Sequence, residues 1–279
     1  MAPLLPNFLI LGAMKAGTTS LAYWLGEHPD IFLAPGKELF FFNVPQRWEL
    51  GVEWYRSQFA GSEGMTARGE ATPGYLGHPQ AAERIAATLP GVRLIALLRH
   101  PADRAYSQYW HNRATGTETR TFARMVQEEV SSTAPAFGFY LERGRYHKHL
   151  ARLQELFPEP DILALLFDDL TADPTGTFAR ACRHLSVDDR PRPANLGRVY
   201  NARLAFRSRG LRSVVRSLRA RKLISASMAG RLNNWNVRSR PRPYPPMDPE
   251  ARAMLIDAYE DETAALESLL GRDLSTWRR

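Results

Sequence analysis

At 279 residues and 44% hydrophobic composition, the chain can bury a full core in one α/β domain, and no Gly/Ser-rich linker or internal repeat divides it, so a single domain over 1–279 is expected. A lone cysteine, Cys182, excludes an internal disulfide and suits a reducing cytoplasm, and no apolar run reaches the roughly 20 residues of a membrane span. The formal charge of +8 favours anionic ligands or surfaces over cationic ones.

Phe8 to Leu11 has the length and composition of a buried strand, and Thr18 to Leu25 reads as the opening of a helix. Between them Gly12 and Gly17 permit a tight bend, Lys15 adds a positive charge, and Ala16 to Ser20 bring amides and hydroxyls to a helix start, where anions are favoured. The apolar run is too short for a signal-peptide core. The spacing Gly12-x4-Gly17-Thr-Thr follows the outline of a nucleotide P-loop, except that the lysine precedes the second glycine, whereas a kinase or NTPase requires it at position 18. An ordinary strand-to-helix turn with packing glycines is the plainer alternative.

A turn at His28 to Pro35 leads into Lys37-Glu38-Leu-Phe-Phe-Phe-Asn43, which sets two charges beside a large apolar mass. Glu38 is either solvated there or held in a phenylalanine-lined cleft with its pKa raised toward that of a general base. Gly51 to Phe59 and Pro79 to Leu89 read as helices, and Ala67 to Tyr75 as a strand end with a loop. Val92 to Leu98 is a second buried strand that runs directly into Arg99, at the carboxyl end where ligands gather in open α/β sheets; Pro101 suits the first turn of the next helix.

Phe122 to Val130 and Tyr146 to Phe157 are further helices, and Ile162 to Asp168 is a third strand. Asp168 stands where an NTPase would place a magnesium-binding aspartate, although a turn opening at Asp168 and Asp169, before a helix near Pro174 to Leu185, accounts for it equally simply. No acidic residue occurs from Ala194 to Met247. Within that stretch Arg209 to Leu232 has helical apolar spacing opposite many arginines, a face for solvent, a membrane surface or an anionic acceptor, and Arg238 to Pro246 is a basic loop. Pro249 to Leu270 closes the chain as one amphipathic helix. Strands alternating with helices predict an α/β fold with a central parallel sheet flanked by helices.

Taken together, Gly12-Ala-Met-Lys-Ala-Gly-Thr-Thr-Ser20, the pair Arg99 and Ser107, and Arg238-Ser-Arg-Pro-Arg-Pro-Tyr-Pro-Pro-Met-Asp248 resemble the sulfotransferases that use 3′-phosphoadenosine 5′-phosphosulfate (PAPS), closest to the heparan-sulfate sulfotransferase-like branch and its bacterial relatives. The resemblance implies a phosphosulfate loop contributed by Lys15, Ala16, Gly17, Thr18, Thr19 and Ser20, a 3′-phosphate pair in Arg99 and Ser107, and a late basic loop with Arg238, Ser239 and Arg240 over the cofactor. It maps the catalytic base onto Glu38 and the leaving-group cation onto Lys15, and it puts Lys37, Glu70 and Tyr75 near the acceptor. No metal is required, and the product is adenosine 3′,5′-bisphosphate (PAP). His28, His78, His100 and His111 lack the context of the histidine-dependent branches, so surface positions are expected for them. The acceptor this implies is a small-molecule, carbohydrate or lipid-linked hydroxyl or amine, with no nucleic acid and with peripheral membrane contact open to the arginine-rich segment. Two other functions remain, a P-loop kinase or NTPase and a basic membrane- or nucleic-acid-binding module.

Overall fold

The computed structural model describes residues 4–36, 38–132, 140–198, 200, 214–215, 218, 228 and 244–279. The predicted helix at Arg209 to Leu232 and the loop residues Arg238, Ser239 and Arg240 therefore lie largely or wholly outside the described residues, as does Lys37.

Five short runs dominated by small or apolar residues form one parallel sheet: β1 (Phe8–Gly12), β2 (Ile31–Leu33), β3 (Ala67–Ala71), β4 (Arg93–Leu98) and β5 (Ile162–Leu166), in the spatial order β2-β3-β1-β4-β5. The apolar side chains of β1 and β4 are buried throughout, as a sheet covered on both faces requires. Each buried leucine or isoleucine there contributes about 1.5–3 kcal/mol by leaving water. Helices α1 (Thr18–Gly26), α2 (Pro45–Trp48), α3 (Gly51–Ser57) and α4 (Ala81–Thr88) fall between the first strands. Helices α5 (Pro101–Thr115), α6 (Phe122–Val130) and α7 (Tyr146–Gln154) separate β4 from β5, and α8 (Phe167–Ala172) and α9 (Pro174–His184) follow it.

The segment expected as one closing helix is two, α10 (Pro249–Ala258) and α11 (Glu260–Leu270), broken at Tyr259, whose backbone leaves helical geometry (φ −107°, ψ 4°). Tyr259 is buried at the break and its hydroxyl donates to the Leu141 carbonyl at 2.8 Å, so a tertiary anchor overrides the helical pattern. β3 is a full strand although it contains Arg68 and Glu70; its register against β1 (Phe8↔Gly69, Leu9↔Glu70) is fixed by Gly69, where a Cβ would come within 2.6 Å of the Phe8 ring.

This strand order positions the site. From β1 the chain crosses through α1 to β2 on one side of the sheet, whereas from β4 it crosses through α5 to α7 to β5 on the other. The loops after β1 and β4 thus diverge and leave a crevice at the carboxyl ends of two adjacent strands, the place where open α/β sheets bind ligands.

Candidate active site

The turn between β1 and α1 forms the floor of that crevice. Gly17, the N-cap of α1, lies in the left-handed region (φ 94°), and a Cβ there would come within 2.8 Å of Leu170, so α8 packs directly against the turn. Lys15 also has positive φ (72°). The Ala13 amide is tied to Leu97 of β4 at 2.7 Å, anchoring the turn to the neighbouring strand. Gly17 and Thr18 open the helix with amides that have no helical carbonyl behind them, the arrangement that gives a helix N-terminus its affinity for anions. Ala16 is buried within the turn and stays off the cleft surface. Ser20 lines the cleft, with its hydroxyl accepting from the Tyr200 amide at 3.0 Å.

Arg99 leaves the end of β4 toward this turn. Its Nη1 donates to the Lys15 carbonyl at 3.2 Å, its guanidinium lies 4.7 Å from the centre of the Phe167 ring, and its own carbonyl accepts from the Tyr146 hydroxyl at 2.9 Å. Burial pulls its pKa down, partly offset by the charge of Asp103, so a bound anion would restore solvation that folding removes. Helix α5 begins with Pro101 and is capped by His100, whose Nδ1 accepts from the Ala102 amide. Its residues Asp103, Ser107 and His111, spaced four apart and hence on one face, all line the cleft. Arg252 pairs with Asp103 at 2.7 Å, which tempers that carboxylate.

The cleft encloses about 990 Å³, at the upper end of ligand sites. It brings together Lys15, Gly17, Thr18, Thr19, Ser20, Glu38, Arg99 and Ser107. Asn43, Arg143 and Tyr200, which the sequence did not single out, also line it. Arg143 donates to the Met14 sulfur at 3.3 Å, and burial lowers its pKa.

Several expectations are corrected. Glu38 reaches the cleft, but Phe41 and Phe42 do not line it; both are fully buried in an aromatic cluster with Trp48 and Tyr55, and Phe40 alone borders the cleft. Glu70 and Tyr75 lie outside the cleft in the core, 1% and 2% exposed. Burial pushes the Glu70 carboxyl up to about 7 despite hydrogen bonds from Thr72, Tyr75 and Tyr55. His28 and His100 are buried, not superficial: His28 Nε2 meets the Asp188 carbonyl at 2.7 Å. Asp168 is no nucleotide ligand by position, since it accepts from the Trp277 indole at 3.4 Å and does not line the cleft, and Asp169 is held by Arg272 and Arg180. Both aspartates open α8 rather than a turn.

Comparison with known proteins gives a consistent result. The profile described as "Sulfotransferase family" matches residues 73–191. The chain is 30% identical to the human bifunctional heparan sulfate N-deacetylase/N-sulfotransferase 1 over 98% of its own length and 31% of that protein's. It is 44% identical to the membrane-associated sulfotransferase kil1 of Dictyostelium discoideum over 45% of its own length and 28% of that protein's. It therefore spans less than a third of the length of these curated relatives. Among solved structures, a sulfotransferase from Alicyclobacillus acidocaldarius superposes with a TM-score of 0.74 at 27% identity, covering 99% of this chain and 100% of that one. No helix among the described residues is long and apolar enough to cross a membrane.

Proposed function

Because the chain belongs to the sulfotransferase family, we propose that it transfers a sulfuryl group from PAPS to a hydroxyl or amine, as a single domain with one cleft. The observation that carries this reading is the joint between two anion-directed elements: the β1–α1 turn and Arg99 are hydrogen-bonded to each other through the Lys15 carbonyl. Two groups of donors, the turn and the Arg99–Ser107 pair, face one cleft and fit the two anionic ends of one ligand.

The residues present fit PAPS by the chemistry of these donors. Lys15 and the amides of Gly17, Thr18 and Thr19 face the 5′-phosphosulfate, with Ala16 and Ser20 holding the turn and helix in shape. Arg99 takes the 3′-phosphate with help from the Ser107 hydroxyl, which separates PAPS from ATP. By resemblance, Arg238, Ser239 and Arg240 complete the cofactor contacts. Bound there, PAPS supplies an activated sulfuryl group and leaves as PAP. Lys15 offers a fixed positive charge where negative charge develops on the leaving phosphate, a role filled by a preorganised cation. Glu38, in the same cleft, takes the proton from the attacking hydroxyl or amine, so the new bond to sulfur forms without a cationic product.

The acceptor we assign is a carbohydrate, on the strength of the heparan sulfate relatives, with Asn43 and Arg143, which line the same cleft as Glu38, as its polar contacts. Calorimetry tests the cofactor: PAP binds in preference to magnesium ATP, and the reverse order overturns the reading. Transfer of radiolabelled sulfate from PAPS across a panel of carbohydrate, glycolipid and small-molecule acceptors then finds the acceptor class.

A further inference from the structure

Glu70 lies near the end of β3, its side chain closed off from solvent, yet two of the hydroxyls bonded to it reach the segment that carries Glu38. Thr72 donates to Glu70 Oε2 and Tyr75 to Oε1, each at 2.6 Å, and Tyr55 donates to Oε1 at 3.4 Å. The three backbone amides that follow Glu38 face this cluster one after another. The Leu39 amide lies where it favours the ionised form of Glu70, Phe40 N–H donates to Thr72 Oγ1 at 3.3 Å, and Phe41 N–H donates to the Tyr75 hydroxyl at 2.9 Å.

The order of donors has a direction. The Thr72 and Tyr75 hydroxyls each accept from an amide and donate their own O–H to Glu70, so the chain runs amide to hydroxyl to carboxyl and ends on a group that accepts. The segment it ties down is also one that needs tying. Glu38 (φ 65°) and Phe40 (φ 56°) both occupy the left-handed region, which side chains adopt only under strain, and this part of the chain belongs to no strand or helix. We propose that Glu70, acting through Thr72 and Tyr75, is the positioning element that fixes the Glu38 backbone at the cleft wall; its catalytic consequence rests on the reading of Glu38 as the base.

The titratable groups facing Glu70 are Tyr55 from α3 and Tyr75 from the loop after β3, and burial together with the Glu70 charge raises both phenols, so each remains a proton donor at neutral pH. Phe41 stacks on Tyr55 at 4.4 Å between ring centres, so an aromatic contact backs the same connection.

Four variants test it. In Glu70→Gln one carboxylate oxygen becomes a donor facing a donor, and in Thr72→Val the acceptor for Phe40 N–H is lost at nearly constant volume; Thr72→Ser keeps the hydroxyl. Hydrogen exchange of the 39–41 amides, PAP binding by calorimetry, and release of sulfate from PAPS with water as acceptor are measured for each and for Glu38→Gln. Glu70→Gln and Thr72→Val are expected to speed 39–41 exchange at least about 10-fold with β1 and α1 protection intact, leave the PAP Kd within about twofold, and lower kcat roughly 10- to 100-fold. Thr72→Ser matches wild type. Glu38→Gln lowers kcat with 39–41 exchange unchanged, which separates the base from what holds it. Unchanged 39–41 exchange in Glu70→Gln overturns the proposal, as does loss of protection across the whole sheet with PAP affinity falling in parallel. Should the wild type neither bind PAP nor release sulfate, the sulfotransferase reading falls instead, and the exchange measurements still decide the positioning role.

Discussion

Replacing Arg99 by alanine separates a ligand contact from a structural one, because the structure gives this side chain two jobs that predict different losses. Its Nη1 holds the Lys15 carbonyl and its face covers Phe167, contacts that every ligand of the cleft would sense through the shape of the turn. The remaining guanidinium nitrogens are directed to the 3′-phosphate in the proposed complex. A hydrogen bond to a charged group contributes about 1.5–3 kcal/mol, so loss of one such contact weakens PAP binding by roughly 10- to 150-fold. AMP is PAP without the 3′-phosphate, and its affinity feels only the structural contacts. Four dissociation constants, PAP and AMP on wild type and on Arg99→Ala, form a thermodynamic cycle whose coupling term isolates the contact between Arg99 and the 3′-phosphate. The expected outcome is a wild-type preference for PAP over AMP that collapses by at least about 10-fold in the variant, with AMP affinity changed by less than about threefold. Equal weakening of both ligands gives a coupling near zero; it would mean that Arg99 serves the turn alone, and the assignment of the 3′-phosphate pair would be withdrawn. Ser107→Ala gives the same pattern at smaller scale, about 0.5–1.5 kcal/mol for a hydroxyl hydrogen bond.

Lys15→Ala is expected to lower kcat by about 10²- to 10³-fold, the usual cost of removing one preorganised group from developing negative charge, with a much smaller change in PAP affinity; steady-state sulfate transfer and calorimetry together check the split. Gly69→Ala tests the sheet: a new Cβ meets the Phe8 carbonyl and lies 2.6 Å from its ring in a ladder with no room to open, so overpacking of about 3 kcal/mol lowers the Tm by roughly 6–12 °C in thermal unfolding. Glu70 predicts a pH effect of definite sign. Its folded-state pKa, about 7, stands above the ordinary carboxylate value of 4.5, so the folded state binds this proton more tightly and the contribution to stability falls as pH rises from about 4.5 to about 7, then levels. Histidines 78, 100, 149 and 184, whose pKa values burial lowers, act in the opposite direction as pH falls. The check is therefore a difference: the Tm of wild type minus that of Glu70→Gln should grow as pH drops from 8 to about 5, and a pH-independent difference refutes the shifted carboxyl.

The parts of the fold that were legible from sequence are those where local pattern and tertiary role agree. The apolar runs of β1 and β4 are buried throughout and could hardly be anything but sheet interior, β5 beside them at the sheet edge buries Leu165 and Leu166, and Gly12 and Arg99 stand at strand ends and Gly17 at a helix start, where backbone freedom and charge have few other uses. The less legible parts are those where a distant partner reverses the local preference. Tyr259 sits in a clean helical pattern, yet its anchor to the Leu141 carbonyl divides α10 from α11. Three phenylalanines after Glu38 suggest a common environment, but two turn into the aromatic core and one to the cleft, because hydroxyls from the loop after β3 pin the Phe40 and Phe41 amides.

Glu70 shows the same limit in its strongest form. A glutamate beside Gly69 and ahead of Thr72 and Pro73 reads as a surface or ligand-contacting residue, since an ionisable group in the middle of a sheet costs several kcal/mol unless its hydrogen bonds are supplied. The donors that supply them are Thr72 and Tyr75, two and five residues on, and Tyr55, fifteen residues back; the first two are close enough to be read as neighbours, but only β3 lying inside the sheet turns their hydroxyls onto one carboxylate. The spacing that looked like an acceptor-contacting loop thus encodes support for one. A single buried carboxyl joins the second strand from one edge of the sheet to the backbone of the candidate base, and in the proposed arrangement the geometry of the cleft wall depends on a residue that does not line the cleft.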